Sequence, residues 1–200
     1  MKKVFLTAML LASLLFNPGL LNPSKADAAN RPLPKLVQVS DRNFEDFYQL
    51  FLLDNQARGN HLKIENITDE PYPGEAYDTY ILMASRKGIP GKHAAVICLY
   101  TNKAGPVSKI TITAPMDNNE AKLDAYVSEY VLLGTLGIED TRSKAFMRDI
   151  LARQIPFQIA LWDYETGRNI AVHHEPSPTT DTLYYIKITA YDQLFPKERR

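Results

Sequence analysis

The stretch that most constrains this chain runs from Ser108 to Ile138, SKITITAPMDNNEAKLDAYVSEYVLLGTLGI, where a strand, a helix start and a helix stop follow without a break. Ile110, Ile112 and Ala114 alternate with Lys109, Thr111 and Thr113, the period-two pattern of a strand with one face on a core and one in water. Pro115 removes a ladder donor, and Asp117 followed three residues later by Glu120 resembles a capping box with Asp at the cap. Leu123, Val127 and Tyr130 then hold 3.6-residue spacing, Tyr126 and Leu133 widen the stripe, and Gly137-Ile138 suits a left-handed C-terminal stop. A helix of about 18 residues that is apolar over more than half its circumference in its last turns must cover something large, and a sheet is the natural partner.

The first 28 residues read as a targeting segment. Lys2 and Lys3 form a charged start, Val4 to Phe16 an apolar run, and Ala26-Asp27-Ala28 places small residues where a signal peptidase reads them, with cleavage after Ala28. The run of 13 residues falls short of the ~20 that span a bilayer, so no stable membrane anchor is expected after cleavage. The lysines and the alanine-rich cleavage site look bacterial, and the absence of a cysteine near that site excludes a lipoprotein anchor. Localisation is therefore expected to be secreted or periplasmic.

Residues 29–200 suit one α+β domain, large enough to bury roughly 70% of its unfolded surface. Removing Lys2, Lys3, Lys25 and Asp27 with the leader takes the 23 basic and 23 acidic residues to 20 and 22, a net charge near −2. Nucleic acid, which needs a basic face, is excluded as a partner on that balance. Cys98 is the single cysteine, so no intramolecular disulfide is expected. The apolar run 94–100 around it reads as a central strand with the thiol inside.

Before the opening stretch, Ser40 or Asp41 is a candidate cap for a helix with Phe44, Phe47, Tyr48, Phe51 and Leu52 on one face and Gly59 as its stop. Four strands follow, over 61–67, 77–84, 94–101 and 107–114, joined by short turn-rich links. After the crossing helix, Asp140 or Thr141 caps a shorter one to about Arg153 with Phe146, Ile150 and Leu151 inward and Pro156 beyond it. Strands over 157–164, 169–174 and 183–191 close the chain. The fold class expected is thus α+β, a meandering antiparallel sheet of about seven strands with helices packed on one face, ordered helix, four strands, two helices, three strands. That order resembles helix-grip and cystatin-like arrangements, a likeness of element order that carries no site residues.

Motifs with chemistry are few. His173 and His174 point to opposite faces of a strand; His173 and Glu175 share a face, but a strand end explains them better than a metal, and no metal site is expected. Asp117-Asn118-Asn119-Glu120 lacks the Gly and Glu of a calcium loop, since Lys122 and Ser128 stand at those places, and reads as a cap. Gly88 to His93 lacks P-loop spacing, so no cofactor is expected. No nucleophile or zinc-hydrolase motif is present.

Eleven tyrosines remain, with Tyr72, Tyr77 and Tyr80 clustered around Pro71, Pro73 and Gly74. Tyrosine pairs a large apolar body with a polar tip, which suits both a half-buried sheet and a contact surface. A ligand surface is expected at Tyr72, Tyr77 and Tyr80 with Lys92 and His93 beside them. The function expected is an exported, non-catalytic binding or interaction module whose partner is a small molecule or a protein of the cell envelope. The alternative is a small exported hydrolase with His173, His174, Asp163 and Glu165 as its candidate participants.

Overall fold

The structure, a computed structural model, describes residues 33–59, 61–68, 77–87, 94–102 and 105–194. The proposed leader, Tyr72, Lys92 and His93 lie outside the described residues. The body described here spans Pro34–Leu194.

In chain order the elements are β1 (Leu36–Val37), α1 (Phe44–Ala57), β2 (Lys63–Asn66), β3 (Asp78–Ser85), β4 (Ala95–Thr101), β5 (Val107–Pro115), α2 (Asn119–Thr135), α3 (Asp140–Leu151), β6 (Phe157–Asp163), β7 (Arg168–Pro176) and β8 (Leu183–Tyr191). All seven expected strands form, and the two-residue β1 is an eighth. The sheet is antiparallel, in the order β2-β3-β4-β5-β8-β7-β6. It consists of two meanders joined where β5 meets β8, with Ile110 opposite Ile188 and Pro115 opposite Leu183. β1 pairs with Ala190 and Tyr191, and since the other edge of β8 is taken by β7, β1 prolongs the edge that β5 leaves.

The helices pack on one side. There the sheet presents Leu82, Ile97, Leu99, Ile110, Ile112, Ile186 and Ile188, all with no exposed surface. The pairings Leu82↔Ile97↔Ile112↔Ile186 put these side chains in rows across four strands. The alternation in 107–114 is thus realised, except that Thr111, expected in water, is 2% exposed. Its hydroxyl lies 3.5 Å from that of Tyr100, so aromatic side chains cover that face too. Cys98, expected inside, is half-buried. It sits opposite Thr111 on the side away from the helices, because strand parity gives the core to Ile97 and Leu99.

Helix starts fall close to their expected places, with different caps. Asn118, not Asp117, accepts from the backbone N–H groups of Glu120 and Ala121. Asn43 caps α1, accepting from Asp46 N–H. Ser40 is instead used by the N–H of Arg42, and Asp41 pairs with Arg168 and Gln38. α3 begins after Glu139, while Asp140 and Thr141 lie inside its first turn. Leu151, expected inward, is 61% exposed: Ser143, Phe146, Met147 and Ile150 form the buried stripe, and the next residue is rotated about 100° out of it.

The largest revision concerns α2. The stripe Leu123, Val127, Tyr130 does not face the sheet: Leu123 is 44% exposed, and Val127 and Tyr130 are half-buried. A wholly buried line is Ala121, Ala125, Ser128 and Leu132, the first three of them small residues over two turns that let the helix axis come close to the strands.

Two arginines fix α2 lengthwise. Arg86, just past β3, bonds Asp124 through Nε at 2.7 Å and Glu120 through Nη2 at 2.7 Å. Arg58, at the end of α1, donates to the carbonyl of Ile138 at 2.8 Å and to Asp140 at 3.2 Å, and lies 4.6 Å over the Tyr130 ring. Its guanidinium also lies against Gly134, where an added Cβ would stand 2.4 Å from Nε. Gly134→Ala therefore sets two effects against each other. Helix propensity favours Ala by about 1 kcal/mol, whereas displacing a charged donor from partly buried acceptors costs about 1.5–3 kcal/mol per bond. We expect net destabilisation of about 1–3 kcal/mol in urea unfolding; a more stable variant would show that Arg58 is not held there.

Candidate functional site

The stripe that α2 turns away from the sheet is not left bare. Leu123, Tyr126, Val127 and Tyr130 recur at i, i+3, i+4 and i+7, and Lys144, Met147, Arg148 and Leu151 recur on α3 with the same spacing. These residues line an open cleft of about 660 Å³ between the two helices. The walls are apolar except at the α3 rim. There Lys144 pairs with Asp140 at 2.7 Å, and Arg148 makes no ion pair among the described residues. The hydrogen bond from Lys144, followed by that from Tyr130, holds the Asp140 carboxyl below its ordinary range.

Tyr126 joins the cleft to a buried polar row. Its ring stacks on the His174 imidazole at 5.8 Å, and Phe157 stacks on the same ring at 4.6 Å. Tyr184 donates to the Tyr126 hydroxyl at 3.1 Å and also meets Nδ1 of His174. His174 Nε2 lies 3.3 Å from Glu129 Oε1. His174, Tyr184 and Glu129 are all fully buried. Register explains the convergence: Glu175 opposes Tyr185 and His174 opposes Ile186, so Tyr184 and His174 project on the helix side of adjacent strands, beneath the middle of α2.

Hydrogen-bond bookkeeping restricts the protons. With Tyr184 donating to Tyr126, its oxygen accepts from Nδ1–H, and one proton is left for the line between Nε2 and Oε1. The choice is a neutral carboxyl with a neutral imidazole, or a carboxylate with an imidazolium. Burial pushes the Glu129 carboxyl up, with His174 opposing it, and Glu129 Oε2 has no hydrogen-bond partner among the described residues. An orphaned buried oxygen is costly when charged, so the Glu129 carboxyl is favoured in its neutral form. Burial, reinforced by Tyr126, also raises the Tyr184 phenol.

The residues named from sequence are dispersed. Tyr77 lies on the other side of the sheet, 6.0 Å from Lys109 Nζ. Tyr80 is on the helix side, stacked on Phe44 at 3.8 Å. His173 opposes Lys187 on the face away from His174. Asp163 is 2% exposed and is taken up by its own hairpin, accepting from the N–H groups of Glu165 and Thr166 and from the Thr166 hydroxyl. His173, His174, Asp163 and Glu165 make no contact with one another that would join them in one site. Among the described residues no three or more potential ligands group around a metal position. Sequence reasoning passed over Glu129; its signal is a carboxylate set among residues that helical spacing makes inward-facing.

Glu129→Gln keeps the shape, and its amide can donate to Nε2, so it is expected within about 1 kcal/mol of the parent near neutrality. Glu129→Ala removes the partner of His174 and opens a cavity, a loss of about 2–4 kcal/mol. The sign with pH follows from the raised carboxyl. Folding retains a proton that the unfolded chain releases above the ordinary Glu value of about 4.3, so this group's contribution is full below that value and is lost as pH rises through the folded one. The stability advantage of the parent over Glu129→Gln should shrink as pH rises above the ordinary Glu value, by at most about 1.4 kcal/mol per unit. Urea unfolding at several pH values measures this, and an advantage that grows with pH would show Glu129 to be ionised in the fold. No protein family, curated protein or solved structure matches the chain, which leaves the geometry of the described residues as the ground for a functional reading.

Proposed function

We propose that this protein is an exported, non-catalytic binding module whose ligand seat is the cleft between α2 and α3. The ligand class is a small amphipathic molecule with an apolar body and an acidic group. One observation carries the reading: two stripes of matched spacing face each other and leave Leu123 and Leu151 44% and 61% exposed within one concavity. Apolar side chains gathered in a concave patch are what a ligand or partner covers. A volume of about 660 Å³ falls in the small-molecule range. The acidic group is assigned from Arg148, the rim cation without an ion pair among the described residues, with Lys144 beside it. Non-catalytic action is supported by the polar row behind the cleft, whose Glu129, His174 and Tyr184 are all fully buried. Export rests on the leader, Lys2 and Lys3 with the apolar run and Ala26-Asp27-Ala28.

Anilinonaphthalene sulfonate, a fused-ring apolar body carrying a sulfonate, is a suitable probe. Its fluorescence should rise saturably with the protein. Leu123→Arg, at a half-exposed position, should weaken binding about tenfold or more while leaving the unfolding midpoint nearly unchanged. Arg148→Glu should weaken it several-fold, and more at low salt. Enhancement that neither substitution alters would remove the cleft as the seat. Expression of the full chain in a bacterium with mass analysis of the exported product tests the leader; the expected N-terminus is Ala29.

A further inference from the structure

Between the start of α1 and the strands β2 and β3 lies a second concavity, chemically unlike the first. It measures about 460 Å³, within the range of ligand clefts. Its walls hold three aromatic rings, those of Phe44, Tyr48 and Tyr80, and three carboxamides, those of Asn43, Gln49 and Asn66. Glu45 adds one carboxylate. None of the described lining residues is cationic, and none is aliphatic.

Register gathers these residues from three elements. Asn66 opposes Leu82 and Tyr80 opposes Leu99. Both partners are core residues, so Asn66 and Tyr80 rise on the helix side of adjacent strands. On α1, Phe47 and Phe51 make the buried stripe, and half-buried Phe44 and Tyr48, four apart, border it. The Phe44 ring lies 3.8 Å from that of Tyr80 with planes 5° apart, and 5.7 Å from that of Tyr48 with planes 6° apart. Parallel rings do not turn their faces about one point, as a seat for an organic cation requires; they form one apolar block.

The polar groups around that block suit hydroxyls. Asn43 Oδ1 accepts from Asp46 N–H at 2.9 Å, and Asn66 Oδ1 accepts from Thr68 N–H at 3.1 Å. Backbone thus fixes both amides, and their NH2 groups make no hydrogen bond among the described residues. Glu45 and Gln49 are exposed and stand four apart on the helix, adding acceptors side by side. A separate observation points to a ligand: the hydroxyls of Tyr48 and Tyr80 make no hydrogen bond among the described residues, and neither is sealed in the core. Burial pushes both phenols up, with Asp78 adding to it at Tyr80, so each keeps a proton to donate.

We propose that this concavity is a second binding site, for a neutral saccharide. A sugar ring is amphipathic in the matching sense, with a C–H face that is apolar and a rim of hydroxyls that both donate and accept. The C–H face lies against the tyrosine rings, Asn43 and Asn66 donate to rim hydroxyls, and Glu45 and Gln49 accept from them. With Glu45 present and no cation in the described walls, an anionic ligand is disfavoured. The site stands independently of the α2/α3 cleft.

Cellobiose, whose equatorial hydroxyls leave both faces of each ring apolar, is the probe, titrated into the protein and followed by amide NMR shifts. It should give saturable shifts centred on Asn43, Tyr48, Asn66 and Tyr80, and should bind more tightly than tetramethylammonium. Tyr80→Ala should weaken it about tenfold or more, and Gln49→Ala several-fold, whereas Leu123→Arg should leave it unchanged. Gln49 is exposed, so its variant is expected to keep the parent's unfolding midpoint. Tyr80→Phe keeps the stack on Phe44 and removes only the hydroxyl, for a several-fold loss at an unchanged fold. No saturation by about 50 mM cellobiose, or binding that Gln49→Ala and Tyr80→Phe both leave intact, overturns the site. Tighter binding of tetramethylammonium would overturn it by making the rings a cation seat, and shifts centred on Leu123 and Arg148 would do so by assigning the sugar to the other cleft.

Discussion

α2 lies against the strands through Ala121, Ala125 and Ser128, and the rest of the described fold depends on that close approach. Small side chains over two turns bring the helix backbone near the isoleucine rows of β4, β5 and β8, and Leu132 fills the space beyond them. The arrangement is held lengthwise by an arginine at each end. Arg86 meets Glu120 and Asp124 in the first turns, and Arg58 meets the carbonyl of Ile138 past the last, where the helix dipole favours positive charge. Arg58 caps the end of α1 and also reaches Asp140 at the start of α3, so one guanidinium ties all three helices together.

Turning its small residues to the sheet leaves α2 with its large ones facing elsewhere. Tyr126, Val127 and Tyr130 meet α3 across a gap that α3 closes only partly. The cleft is thus a by-product of how α2 is seated. The same seating carries Glu129 inside, where it would be a net cost but for His174 rising from β7 to meet it. The pair is net neutral in either protonation state, which is the condition under which such groups persist in a core.

Much of this order is legible from residues alone. Alternation in 107–114, the apolar run 94–100 and the turn-rich links define the strands, because a sheet with one covered face must repeat every two residues. Gly59 and Gly137 mark helix ends, and both adopt positive φ, 112° and 91°. Helix orientation was not legible: Leu123, Val127 and Tyr130 form the stronger apolar stripe, but periodicity reports that a face is apolar, not which surface covers it. The join of β5 to β8 is also invisible, since hairpin signals extend only to the next strand. Of the expected ligand residues, Tyr77 and Tyr80 are three apart around the start of a strand, and that odd spacing sends them to opposite sides of the sheet.

β8 contributes to both sides at once. Tyr184, Ile186 and Ile188 face the helices, and Tyr185, Lys187 and Thr189 face away. The helix-facing set acquires its chemistry from the strand beside it: β7 supplies His174 to Tyr184. The opposite face is also partly covered, as burial first of all pushes the Tyr185 phenol up to about 12. A ladder break on a central strand is normally a weakness, because it interrupts backbone pairing in the interior. Here β5 leaves β8 after Ile188 and β1 resumes the pairing at Ala190, so the break costs little backbone bonding. The helix-covered side stays continuous across it, with Ile188 and Ala190 buried on either side.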